Sequence, residues 1–163
     1  MFKRVMLGLS ILGIAFACSQ DPTVQQLTSR AKELSNAGDL EAASRTYEMI
    51  LTREGLTDSL RAKTLFALAE NAGNREKHSD AIDYYQKIVD EYGSTPWGPK
   101  AQFMIGYTYA NVIHDYKKAK QAYQRFLDVY PTDDLVTAVR FEVKYLGEDV
   151  SDITDLEFLN STE

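Results

Sequence analysis

Apolar and polar positions along the chain repeat at a step of 38 residues. Ala43, Ala81 and Ala119 form one column, Tyr47, Tyr85 and Tyr123 a second, and Ile50, Ile88 and Phe126 a third. Within each unit these positions are spaced i, i+4, i+7, which puts them on one face of a helix. A second apolar pattern precedes each of these helices. It is carried by Leu27, Ala31 and Leu34, by Leu65, Leu68, Ala69 and Ala72, and by Ile105, Gly106 and Tyr109. The small residue at Ala31, Ala69 and Gly106 marks a close approach of two backbones. Polar turns are expected inside the pairs at Asn36–Asp39, Asn71–Asn74 and His114–Asp115. Asn36, Asn74 and Asn111 stand near the ends of the first helices, where Asn accepts left-handed backbone and stops a helix. Gly55, Gly93 and Pro131 close the three units, and the third unit holds one extra residue near its turn. Beyond it, Asp134–Leu146 is apolar at Val136, Val139, Val143 and Leu146, with Gly147 as the expected C-cap. Solenoids need such a closing element over the last apolar face. The pattern predicts an all-α solenoid of about three helical hairpins with a C-terminal capping helix, spanning 24–147. Residues 148–163 form a separate acidic segment with six acids and no base, in which Ile153, Leu156 and Leu159 recur every three positions.

The start of the chain follows another pattern. Lys3 and Arg4 precede an uncharged run from Val5 to Phe16. That run is shorter than the roughly 20 residues that span a bilayer, and it fits the apolar region of a secretory signal over 1–17. Two processing routes are open. Ala15-Phe16-Ala17 is an A-x-A site for a general signal peptidase. Ala17-Cys18 also resembles a bacterial lipobox, although Ala15 and Phe16 differ from the Leu and small residue usual there. The only Cys of the chain sits at the one position a lipobox requires, so the lipoprotein route is the expectation. That resemblance implies a Cys18 carrying diacylglycerol and an acyl chain such as palmitate, with 18–23 as a short tether. Several acyl chains anchor stably where one does not. Ser19, in place of Asp, follows Cys18, which in bacterial lipoproteins usually goes with the outer membrane.

Composition narrows the chemistry. The chain of 163 residues has 18 Lys+Arg against 24 Asp+Glu, a balance that disfavours nucleic acid as a partner. A single Cys leaves no intrachain disulfide and no Cys-rich metal site. His78 and His114 are the only imidazoles, and no Walker loop, G-x-G-x-x-G or H-E-x-x-H is present. His114 adjoins Asp115, but sequence neighbours do not make a dyad, and both His are expected to be structural. The expectation is no enzyme, with no catalytic residue, cofactor or metal.

The repeat columns resemble the tetratricopeptide repeat (TPR), and Ile105-Gly106, Tyr109, Ala119, Tyr123, Phe126 and Pro131 match its pattern of small residue, Ala, aromatic and closing Pro. Gln102 is polar where the family has Trp or Leu. The resemblance implies partner binding on a concave surface lined by the first helix of each pair. There the expected lining is Thr28 and Lys32, then Lys63, Phe66 and Glu70, then Lys100, Phe103 and Tyr107. Phe66, Phe103 and Tyr107 would form an aromatic strip flanked by Lys63 and Lys100, suited to a peptide with apolar and acidic residues. Trp97, in a Pro/Gly stretch, is a second candidate, either as a surface anchor or as a staple opening the next helix. With its start, the chain is similar to two envelope families: the BamD-type outer-membrane-assembly lipoproteins and the Tol–Pal-associated TPR protein. Together these imply a non-catalytic scaffold for envelope proteins or peptides in the periplasm, held to the membrane by its N-terminal lipid. The alternative is a soluble exported or self-associating TPR protein, and the oligomeric state stays open.

Overall fold

In a computed structural model, the structure describes residues 21–147. The expected signal segment 1–17, Cys18 and the acidic segment 148–163 lie outside the described residues. Among the described residues seven α-helices follow in order: α1 (Val24–Asn36), α2 (Leu40–Leu51), α3 (Asp58–Asn74), α4 (His78–Tyr92), α5 (Trp97–Tyr107), α6 (Tyr116–Val129) and α7 (Val136–Lys144). A π-helical segment, Thr108–Ile113, continues α5. The helices pack as α1 on α2, α3 on α4 and α5 on α6, each pair stacks on the next, and α7 closes the end against α6.

Side chains at the helix starts satisfy backbone N–H groups that have no partner within the helix. Thr23 and Gln26 form a reciprocal capping box on α1. Asp39 accepts from the Ala42 N–H at 3.1 Å, Thr57 from that of Leu60 at 3.3 Å, and Asp115 from that of Lys118 at 3.0 Å. All nine residues of the three repeat columns are buried. So are Ala31, Ala69 and Gly106, the close-approach positions. At Gly106 there is no room for a side chain: a Cβ there would overlap the Tyr123 ring.

The expected helix stops need correction. Asn36 and Asn74 are the last residues of α1 and α3, but the left-handed residues are Gly38 (φ 82°), Glu76 (φ 59°) and His114 (φ 60°). The backbone explains why. In the first two turns Asp39 N–H returns to Leu34 O and Lys77 N–H to Ala72 O, both at 2.9 Å, and the residue before the donor must turn left-handed. In the third, Asp115 N–H reaches back to Tyr109 O at 2.8 Å, across one more residue. The π segment absorbs the extra residue of the third unit there, and Asn111 lies inside it, donating to Tyr107 O at 3.3 Å. The expected turn at Asn71–Asn74 is helix. Asn71 is buried, and its Nδ2 donates to Leu40 O at 2.6 Å and Ser44 Oγ at 2.7 Å, tying the second pair to the first. At the chain's far end α7 is capped by Tyr145, and Gly147 (φ 86°) lies beyond the cap.

Gln102 is buried in the slot where an apolar residue was expected. Its Nε2 donates to Ala122 O at 2.9 Å, while its Oε1 has no partner among the described residues.

Candidate peptide-binding groove

The first helices of the pairs, α1, α3 and α5, share one side of the solenoid and border a groove of about 830 Å³. From α1 come Lys32, Ser35 and Asn36; from α3, Lys63, Phe66 and Glu70; from α5, Trp97, Met104 and Tyr107. The π segment adds Val112, and Tyr47 and Tyr85 form part of the floor. A second hollow of about 500 Å³ lies further along, where Lys100 and Phe103 meet Asp133, Asp134 and Leu135. Phe66 and Met104 border both.

Of the five residues expected together, Lys63, Phe66 and Tyr107 line the groove, and Lys100 and Phe103 face the second hollow. The aromatic strip is two pairs and not one row. Phe66 packs against Trp97 at 5.2 Å between ring centres and against Tyr85 at 5.1 Å. Phe103 packs against Tyr107 at 6.2 Å and Tyr123 at 6.0 Å. Lys100 holds its ammonium 5.0 Å from the Trp97 ring centre, a cation–π contact one turn along the same helix. Lys32 lines the groove as expected; Thr28 does not border it and donates to Val24 O at 2.7 Å.

Trp97 is not isolated in a loop. It opens α5 and is half-buried against Phe66, so the surface anchor of the sequence reading becomes part of the groove wall. Trp97, Met104 and Tyr107 share one helix, α5. They stand at i, i+7 and i+10, one stripe along the helix.

The groove carries both signs of charge. Lys32 and Lys63 are exposed and make no ion pair among the described residues. Burial pushes the Glu70 carboxyl above the usual carboxylate range. Burial, reinforced by Glu70, holds the Tyr85 phenol well above its ordinary value.

Neither His assembles a reactive centre with its neighbours. His78 lines the groove at the start of α4. His114 Nδ1 lies 3.1 Å from Ala110 O, while the Asp115 carboxylate is engaged in capping α6. That bond to the Lys118 N–H holds the Asp115 carboxyl below its ordinary range. Among the described residues, no group of three or more His, Cys, Asp or Glu is placed to hold a metal.

A family model described as tetratricopeptide repeat matches residues 63–95 and 100–133. No curated protein matches the chain. The matched segments cover most of the α3–α4 and α5–α6 pairs, starting within α3 and α5, and α1–α2 repeats the same buried columns. The molecule is an all-α solenoid of helical hairpins, and its match to the tetratricopeptide repeat over 63–95 and 100–133 suggests a scaffold for protein–protein interaction.

Proposed function

We propose that this chain is a non-catalytic protein-binding scaffold tethered in the bacterial cell envelope, on the periplasmic side of the outer membrane, and that its groove takes a partner segment with apolar and acidic side chains. The observation that carries the groove reading is the wall of Phe66, Trp97, Met104 and Tyr107 beside Lys32 and Lys63, which make no ion pair among the described residues. The apolar wall offers burial and the lysines offer charge, which is the combination an amphipathic acidic segment requires. The tether rests on the signal-like start and on Cys18. No helix among the described residues is long and apolar enough to cross a membrane, so lipid on Cys18 would supply the attachment. A role in outer-membrane protein assembly or envelope maintenance agrees with that address.

Two measurements test this in the native host. Intact mass of the protein extracted with detergent should show a chain starting at Cys18 with added diacylglycerol and acyl mass, and an unmodified start removes the tether. Partner recovery from membrane fractions should fall sharply for Lys63→Glu combined with Trp97→Ala. Equal recovery from that variant, folded as judged by its melting curve, rules out the groove.

A further inference from the structure

The six large apolar side chains left exposed among the described residues are not spread evenly. Tyr107, Val112, Ile113 and Tyr116 are 40–44% exposed and follow one another through the end of α5, the π segment and the start of α6. Tyr107 and Val112 also border the groove, so this ledge is its continuation. Exposed apolar side chains concentrated around one turn mark a site that something covers. Basic residues adjoin it: Lys120 lies one helical turn from Tyr116 on the same face, and Lys117 is next to it. Both are exposed and make no ion pair among the described residues.

The described chain ends against this ledge. A Cβ placed on Gly147 would lie 3.3–3.5 Å from three carbons of the Tyr116 ring. The 16 residues that follow carry six acids, no base, and Ile153, Leu156, Phe158 and Leu159. Extended, they reach at most about 55 Å at 3.3–3.6 Å per residue, ample to pass Tyr116 and the turn at His114. Their composition, apolar and acidic, is also what the groove selects for.

We propose that residues 148–163 fold back over Tyr116 and cover the ledge of Ile113, Val112 and Tyr107, so that the chain carries its own occupant for that end of the groove. Ile153, Leu156 and Leu159 supply the apolar contacts, and the acids face Lys117 and Lys120. A partner then binds by displacing this segment, a consequence that rests on the groove reading. The docking itself does not.

The test uses the full chain beside a full-length variant with Ile153→Ser, Leu156→Ser and Leu159→Ser, each titrated with a fluorescent peptide of residues 148–163. A peptide that binds at about 100 μM competes with a tethered copy at an effective concentration of about 1 mM, so the wild-type chain should bind it roughly tenfold more weakly than the variant. Binding to the variant should weaken with salt and be lost when Tyr116→Ser and Lys120→Glu are added. Amide exchange over 112–118 should be faster in the variant than in the wild-type chain. Equal binding to both chains, no binding to the variant, or binding indifferent to Tyr116 and Lys120 overturns the proposal. So does a light-scattering mass that doubles in the wild-type chain alone, which puts the segment on a second copy. In each of these cases Lys63→Glu with Trp97→Ala still reports separately on the groove.

Discussion

Gly106→Ala should destabilise the protein, although Ala is the better helix former. A Cβ at this position would overlap three atoms of the Tyr123 ring. That ring cannot yield easily. Tyr123 is fully buried, packs on Phe103, and its hydroxyl hydrogen-bonds the Glu142 carboxylate at 3.2 Å. Overpacking a filled core costs about 1–3 kcal/mol, and a held ring places this site near about 3. Helix propensity returns about 1 kcal/mol. The net loss is about 2 kcal/mol, or roughly 4–8 °C in Tm for a chain of this size. Thermal unfolding followed by far-UV circular dichroism measures it. Gly73→Ala is the matched control, because its new Cβ meets nothing within 4 Å; it should gain up to about 1 kcal/mol. In a Tyr123→Leu background the cost of Gly106→Ala should shrink by at least about 1 kcal/mol, since the two sites share one space. A Gly106→Ala protein that melts at or above the wild type refutes the packing argument.

Other outcomes follow from single contacts. Glu76→Gly should stabilise by about 0.5–1 kcal/mol in denaturant titration, because a left-handed Glu costs about 1–2 kcal/mol and Gly returns part of that as chain entropy. Gln102→Leu should raise stability by about 1 kcal/mol, because it removes a buried carbonyl oxygen with no partner among the described residues; a drop of that size would mean the bond to Ala122 O outweighs it. Glu70 has a raised folded pKa, so its contribution is complete at acid pH and is lost as pH rises through that folded value. Glu70→Gln should therefore gain on the wild type at neutral pH and converge with it below about pH 4, as followed by Tm against pH. The same variant should bind acidic partner segments more tightly, and unchanged or weaker binding would place those acids away from Glu70.

The helices were legible because each core face repeats in register: Ala43, Tyr47 and Ile50 bury the same surface as Ala119, Tyr123 and Phe126. The turns were less so. Asn71-Ala-Gly73-Asn74 looks like the sequence that does turn at Asn36-Ala-Gly38-Asp39, but it lies earlier in its unit. Tertiary demand decides there, since Asn71 is held in the helix to reach Leu40 O and Ser44. The extra residue of the third unit was visible as a count, whereas its form, a π segment ending at a left-handed His114, depends on packing. Among the groove residues Phe66 and Tyr107 followed from helix spacing. Trp97 did not, because Pro96, Gly98 and Pro99 make its surroundings look like a loop, while Pro tolerates the first turn of a helix.

Photocrosslinking from the groove tests the central claim most directly. A benzophenone side chain at position 63 or 104, in the protein expressed in its native envelope, should give a discrete adduct with one partner. The same group at position 87, on the exposed side of α4, should give none. The groove adduct should disappear with Trp97→Ala. Adducts of equal yield from both sides of the solenoid, or none from the groove, would contradict the account.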